Sequence, residues 1–119
     1  MTINVLLADK SEIVRKVIAD LLKSDLEIQV LAEAASLSQT LQLLSNFHPH
    51  IVVMDIHIGD ERTVKPSMVK LCFVDSPLLA NSLWKDEETK ALADSYGAVR
   101  LLDKTQLAYE LIPAIKRCE

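Results

Sequence analysis

Acidic, basic and hydroxyl side chains stand directly after short apolar runs at several places in this sequence. They are Asp9 with Lys10, Asp55, Asp75 with Ser76, and Lys104. If those runs are neighbouring parallel strands, their carboxyl ends meet at one edge of a sheet, where ligands bind in such folds. Carboxylates there can attack an electrophile or bind a cation, and an ammonium and a hydroxyl can contact an anion. The alternative is that Asp55 only caps the loop after its strand.

The elements that must position these residues alternate along the whole chain. Short apolar runs predict strands at 3–8, 26–32, 51–55, 71–74 and 99–102. Helical spacing of apolar residues predicts helices at 11–24, 36–48 and 86–96, and another from 105 onward. Strands separated by helices are joined by right-handed crossovers and run parallel. The pattern therefore predicts an α/β fold: a doubly wound, flavodoxin-like (βα)5 sheet of five strands in the order 2-1-3-4-5.

Two stretches fit that alternation poorly. Residues 57–67 contain Gly59 and Pro66 and little apolar content, so we expect a turn or two there and no full helix. Residues 77–84 are apolar but irregular, and a short helix is expected.

The helices carry signals at their ends and along one face. Ser11 and Ser36 are predicted N-caps, and Gly97 is predicted to end the helix before it. The apolar residues predicted to face the core are Ile13, Val14, Val17, Ile18, Leu21 and Leu22 in the first helix, and Leu37, Leu41, Leu44 and Phe47 in the second.

Length and composition limit the class of protein. A chain of 119 residues is enough for one domain, so residues 1–119 are predicted to form a single unit. The net charge of -4 argues against a nucleic-acid surface on this domain. No apolar run approaches the roughly 20 residues of a membrane span, and no signal peptide is visible. The two cysteines, Cys72 and Cys118, are typical of a reduced protein, so we expect a cytoplasmic location.

Two local phrases extend the pattern to a known family. The phrase Pro49-His50-Ile51-Val52-Val53-Met54-Asp55 and the later Gly97-Ala98, with a short strand and Lys104 after it, resemble the receiver domain of two-component response regulators. The resemblance covers essentially the whole chain. Residues 14–34 are most similar to receivers attached to a helix-turn-helix DNA-binding domain.

The resemblance implies a role for each residue at the strand ends. It implies that Asp55 accepts a phosphoryl group from a histidine kinase. It implies that acids after the first strand, here Asp9, hold Mg²⁺ together with Asp55 and the backbone carbonyl of His57. It also implies that a hydroxyl after the fourth strand and Lys104 after the fifth contact the phosphoryl oxygens.

The sequence departs from that family at three positions, two of them among the strand-end residues and one within the fifth strand. The second acid is replaced by Lys10, the hydroxyl position aligns with Asp75 with Ser76 one residue later, and the aromatic position of the fifth strand is Leu101. An ammonium removes a metal ligand and adds like charge, so bound Mg²⁺ is expected to be weak or absent. We expect the Lys10 ammonium to lie near Asp55, although it can instead point to solvent. Asp75 is expected to repel an incoming phosphoryl group.

These departures predict an atypical receiver that is not an enzyme. It would act through protein contacts, without phosphorylation or with weak phosphorylation, and its partners would be a histidine kinase or another signalling protein. The resemblance also implies a homodimer through the face of the fourth helix, fifth strand and fifth helix. The alternative is a working phosphoacceptor at Asp55, with Mg²⁺, that controls a DNA-binding output domain.

Two other interpretations are less favoured. The phrase Asp55-Ile56-His57-Ile58-Gly59 is near the motif of cobalamin-binding domains, but its spacing is one residue short. His48 and His50 could suggest a metal site, but they flank a helix end, where histidine is common.

Overall fold

A computed structural model of the chain describes residues 2–59 and 65–118. Within these residues, strands and helices alternate. The strands are β1 (Ile3–Ala8), β2 (Ile28–Ala34), β3 (Ile51–Asp55), β4 (Leu78–Ser82) and β5 (Arg100–Asp103). The helices are α1 (Glu12–Leu22), α2 (Leu37–Phe47), α3 (Pro66–Cys72), α4 (Glu87–Ser95) and α5 (Leu107–Arg117). Short 3-10 turns at Ile56–Ile58 and Lys104–Gln106 follow β3 and β5.

The strands form one parallel sheet in the order β2-β1-β3-β4-β5, which confirms the predicted topology. The central strand β3 pairs with β1 and β4 and is buried along residues 51–54. A strand buried on both faces reads as a continuous apolar run, which is why this strand is visible in the sequence.

The hydrophobic core is divided by the sheet. On one face, alternate strand residues such as Leu7, Val53 and Leu79 pack with α1 and α5. On the other face, Leu6, Met54 and their neighbours pack with α2, α3 and α4. Each helix thus covers one face of the sheet, and the carboxyl ends of the strands are left free of the helices that pack on its faces.

The predicted helix ends are confirmed where a side chain or a glycine determines them. Ser11 Oγ accepts the amide of Val14, and Ser36 Oγ accepts the amide of Gln39. Gly97 follows α4 at φ 75°, a left-handed backbone conformation that favours glycine. None of the helices in the described part of the chain combines the length and apolar character that a bilayer span needs.

The fourth strand was placed wrongly. It occupies Leu78–Ser82, whereas residues 71–72 belong to α3 and Val74 is 71% exposed. A four-residue apolar run cannot be assigned to a strand or a helix by periodicity alone, and here the run ends a helix. The short helix expected at 77–84 is therefore also wrong. Of the stretch 57–67, residues 60–64 lie outside the described residues.

Smaller corrections concern helix faces and strand limits. Ile13, Val17 and Phe47 were expected in the core, but they are 77%, 63% and 48% exposed. They lie at the margins of apolar stripes that are wider than the surface each helix buries. The second strand starts two residues later than predicted and ends two residues later, at Ala34.

Core packing gives a direct test of these assignments. Leu79 is fully buried in β4, so Leu79→Ala is expected to cost about 2–5 kcal/mol of unfolding free energy. Ile13→Ala, at an exposed position of α1, is expected to change it by less than about 0.5 kcal/mol. Urea unfolding of both variants measures these changes. Equal losses of unfolding free energy in the two variants would contradict the placement of β4 in the core.

Candidate functional site

The ends of four strands meet at one edge of the sheet, and each brings a charged or polar side chain. Asp9 follows β1, Asp55 ends β3, Ser82 ends β4 and Lys104 follows β5. We call these four residues the strand-end site. Because the strands are parallel, the site lies at the carboxyl edge, where open α/β sheets bind ligands.

Lys104 joins the two carboxylates of the site. Its Nζ lies 2.7 Å from Asp9 Oδ2 and 3.1 Å from Asp55 Oδ2. The Lys104, Asp9 and Asp55 side chains are only 12%, 4% and 19% exposed. Burial lowers the pKa of Lys104, but the hydrogen bonds and charges of Asp9 and Asp55 outweigh burial and leave that pKa above 10.5. The ammonium is therefore charged at neutral pH.

Asp9 is held from several directions. Its amide donates to Ala34 O of the neighbouring strand, and its Oδ1 accepts the amide of Ser11. Arg15 Nη1 donates to Asp9 O at 2.6 Å, and Arg15 Nε lies 3.3 Å from Glu33 Oε1. The turn between β1 and α1 is thus tied to the end of β2, and the Asp9 carboxylate has a defined direction.

Asp55 is fixed by the 3-10 turn that follows it. Its Oδ1 accepts the amide of His57 at 3.0 Å, which leaves Oδ2 for Lys104. The His57 ring reaches Thr89 of α4, with Nε2 3.4 Å from Thr89 Oγ1. Asp55 does cap the turn after β3, as the alternative reading held, but its second oxygen also enters the charge cluster.

Lys10 does not take the place expected for it. The side chain is exposed, and no ion pair joins it to any residue in 2–59 or 65–118. The ammonium near Asp55 and Asp9 is that of Lys104 instead. Lys104, directly after β5, reaches both carboxylates with its side chain only 12% exposed, so it fills the position expected for Lys10 and Lys10 stays in water.

Asp75 and Ser76 are not part of the strand-end site. They precede β4, so they lie at the opposite edge of the sheet, where Ser76 Oγ donates to Pro49 O at 2.6 Å. Asp75 is exposed there and cannot repel a group bound at Asp55. The error follows directly from the misplaced fourth strand. The hydroxyl at the site is that of Ser82.

Sequence reasoning missed Ser82 and its neighbour Asn81. Ser82 Oγ accepts the amide of Trp84 at 2.9 Å, and both Asn81 and Ser82 are 1% exposed. Two polar residues directly after the apolar run 78–80 were the available signal. The sequence pattern predicts the fourth strand at 71–74 and a short helix at 77–84, so it places the polar strand end at Asp75 and Ser76 instead.

The two carboxylates converge in a way that suits a small cation. Asp9 and Asp55 each direct Oδ2 at the same nitrogen, so a cation between them would meet two anionic oxygens. Mg²⁺ is commonly held by one or two carboxylates with water completing its shell. The described residues contain no group of three or more acidic, histidine or cysteine side chains able to hold a metal. The two carboxylates can therefore offer Mg²⁺ two side-chain ligands, and water would have to complete its shell.

A second ion pair fastens the loop after β4. Lys85 Nζ lies 2.7 Å from Asp103 Oδ2, and Asp103 Oδ1 accepts the amide and hydroxyl of Thr105. The bond from Lys85, followed by those from Thr105, lowers the pKa of Asp103 to about 2. The loop that carries Trp84 is thereby tied to the end of β5, next to Lys104.

Receiver domains are among the solved structures that share this architecture. The signal receiver domain of NarL from Mycobacterium tuberculosis has a TM-score of 0.85 at 20% identity, covering 98% of this chain and 95% of that one. The response regulator domain of CheB from Thermotoga maritima has a TM-score of 0.83 at 21% identity, covering 99% and 96%. The chain has the receiver fold of response regulators. The resemblance drawn from the sequence is thus confirmed at the level of the fold.

The relatives found by sequence comparison are proteins longer than this chain. A protein-glutamate methylesterase/protein-glutamine glutaminase of Methanococcus maripaludis is 29% identical over 104 residues, which are 86% of this chain and 28% of that protein. Its counterpart in Nocardioides sp. is 38% identical over 97 residues, 81% of this chain and 26% of that protein. The chain thus spans less than a third of the length of these relatives. No family model matches the sequence.

The pKa of Asp103 predicts how its ion pair depends on pH. Because the folded pKa lies below the ordinary 3.8, the pair stabilises the fold above about pH 3.8, and this is lost as the pH falls through about 2. Asp103→Asn is expected to lower the urea midpoint equally at all pH values from about 5 to 7, with the difference shrinking toward pH 2. Lys85→Gln is the control. It removes the main cause of the lowered Asp103 pKa, so the stability that depends on the Asp103 charge is expected to be lost at a higher pH than in the unmodified chain. A difference that persists at pH 2 would contradict the assignment.

Proposed function

We propose that this chain is the signal-receiving module of a response regulator and that Asp55 accepts a phosphoryl group. One observation carries the proposal: Asp55 ends the buried central strand with Oδ2 held 3.1 Å from Lys104 Nζ, at the edge of the sheet where β4 ends in Ser82. An Asp55 oxygen attacks the phosphorus, and the bond to the donor, a phosphohistidine or an acyl phosphate, breaks with its electron pair leaving on the donor. The module itself is not an enzyme in this proposal; it acts in the cytoplasm on protein partners.

The site supplies what a phosphoryl group requires once it is attached. Its oxygens carry spread negative charge, so cations and hydrogen-bond donors must face them. The Lys104 ammonium and the Ser82 hydroxyl are the donors at the strand ends. Because Asp75 lies at the other edge of the sheet, the repulsion expected from it does not weigh against phosphorylation.

Metal binding is the weak part of this site. The Asp9 and Asp55 carboxylates share one ammonium, which leaves a single net negative charge to attract Mg²⁺. Lys10, where the resemblance implies an acid, adds a positive charge on the adjacent loop. We therefore propose that Asp9, Asp55 and the His57 carbonyl hold Mg²⁺ weakly and that phosphorylation needs high Mg²⁺.

The second candidate is a module that signals without phosphorylation. It is favoured by the ammonium of Lys104, which already satisfies Asp9 and Asp55 without any ligand. Such a module would act on its partner proteins through its surface, for example through the groove beside β5. That groove is lined by Trp84, Lys85, Arg100, Leu101, Asp103 and Glu110. A homodimer through the face of α4, β5 and α5 belongs to this proposal.

The output that the module controls is also a matter of proposal. A solved structure of a LuxR-family response regulator from Aurantimonas sp. matches with a TM-score of 0.84 at 24% identity, covering 98% of this chain and 84% of that one. Together with the DNA-binding subfamily that the sequence resembles, it favours a transcriptional output. The methylesterases matched by sequence favour control of an enzyme domain instead. In either case we propose that this domain contacts protein and not nucleic acid.

Phosphorylation of Asp55 can be tested directly. Incubation with acetyl phosphate and excess Mg²⁺ is expected to add the mass of one phosphoryl group, and Asp55→Asn is expected to abolish it. Ser76→Ala, at the opposite edge, is the matched control and is expected to leave the gain unchanged, whereas Ser82→Ala reduces it. Intact-protein mass spectrometry measures all four. No gain at any Mg²⁺ concentration would favour the second candidate.

Position 10 predicts the metal affinity of the site. Lys10→Asp replaces a positive by a negative charge beside Asp9, so Mg²⁺ binding is expected to tighten by about tenfold or more, the size of one charge-assisted contact. Asp75→Thr removes one negative charge at the opposite edge of the sheet and is expected to have no effect on Mg²⁺ binding. Calorimetric titration with Mg²⁺ measures both, and equal effects of the two variants would mean that the site lies elsewhere.

A further inference from the structure

Asn81 is a polar residue where an apolar one would pack. It is 1% exposed in β4, between Ala80 and Ser82, and its Oδ1 has no hydrogen-bond donor among the described residues. Leaving such an oxygen unsatisfied costs about 1–3 kcal/mol. A valine would fill the strand without that cost. An unsatisfied group of this kind needs an explanation, and functional sites are where such costs persist.

The position of Asn81 suggests which donor it serves. It is paired in register with Asp55 on β3 and with Leu102 on β5, so the three side chains point to the same face of the sheet. Lys104 follows β5, and β4 lies between β5 and β3. To reach Asp55 and Asp9, the Lys104 side chain must therefore cross the end of β4, where Asn81 lies.

We propose that Asn81 is a positioning residue for Lys104 and that its Oδ1 is a second acceptor for the ammonium. Lys104 uses it when a cation takes Asp9 and Asp55 from the ammonium. A displaced ammonium in this poorly exposed place would otherwise be an unpaired buried charge, which is strongly unfavourable. A neutral amide oxygen is a weaker acceptor than a carboxylate, so the resting bridge to Asp9 and Asp55 stays preferred.

The inference deepens the proposed function, but its first test needs neither metal nor phosphate. In the unmodified chain, Asn81→Val removes an unsatisfied oxygen and is expected to raise the urea midpoint. When Asp9→Ala and Asp55→Ala are both present, Lys104 has only Asn81 to bond, and Asn81→Val is expected to lower the midpoint. Adding Lys104→Met removes the donor, and the substitution is expected to raise the midpoint again.

Two further substitutions test whether this change in the sign of the midpoint shift is due to the Asn81 oxygen. Asn81→Ala is expected to follow the same pattern as Asn81→Val. Asn81→Asp keeps an acceptor oxygen and is expected to preserve stability in the chain that lacks both carboxylates. A shift of the same sign in all three backgrounds would show that Asn81 acts only through packing and would overturn the proposal.

A second cycle uses Mg²⁺ binding and decides the matter if the chain without both carboxylates does not fold. Asn81→Val is expected to weaken Mg²⁺ binding by about tenfold, the effect of one hydrogen bond to a charged group. In the Lys104→Met background the same substitution is expected to change nothing, because no ammonium has to be moved. An equal loss in both backgrounds would overturn the role of Lys104. Absence of Mg²⁺ binding by the unmodified chain would refute the metal part of the proposed function, while the stability cycle still decides the role of Asn81.

Discussion

The bridge from Lys104 to Asp9 and Asp55 is the interaction on which the strand-end site depends. Two carboxylates that face the same point repel each other, and in a poorly exposed place that repulsion is weakly screened. One ammonium between them removes the repulsion and satisfies an oxygen of each. The bridge also ties β1, β3 and β5 at one edge, so the geometry of the site and the order of the strands support each other.

The surroundings of the bridge explain why Asp9 and Asp55 point toward it. Each carboxylate gives its other oxygen to a backbone amide two residues later, that of Ser11 or His57. Arg15 then anchors the carbonyl of Asp9 and pairs with Glu33. The amides of Ser11 and His57 thus orient each acid from within its own turn, so that the remaining oxygen of each carboxylate faces Lys104.

The charge at this edge distinguishes the chain from the receivers it resembles. With a lysine at position 10, the loop after β1 carries one acid and one base, and the site has little net charge to attract a metal. The Ser82 hydroxyl and the Lys104 ammonium, in contrast, are at the strand ends where a phosphoryl group would need them. The site thus has the groups that contact an anion and few of those that hold a cation. Asn81 is buried in β4, between β3 and β5, and its Oδ1 is unsatisfied. This favours the proposal that the site allows the Lys104 ammonium to move from the carboxylates to Asn81.

The sequence by itself determined the topology and three of the four site residues. Strand β3 is buried on both faces, so its apolar run and terminal Asp55 are visible without a structure, and Asp9 and Lys104 follow runs that are also clear. The fourth strand was different: residues 71–74 and 78–80 are both short and apolar, and periodicity alone does not separate a helix end from a strand. Only the tertiary structure decided between them, because only pairing with β3 and β5 buries Leu78–Ser82. With β4 at Leu78–Ser82, the hydroxyl at the carboxyl end of the strand is that of Ser82 and not of Ser76, and Asp75 is not part of the strand-end site. The tertiary structure also decided that Lys10 stays in water, because Lys104 pairs with both acids instead.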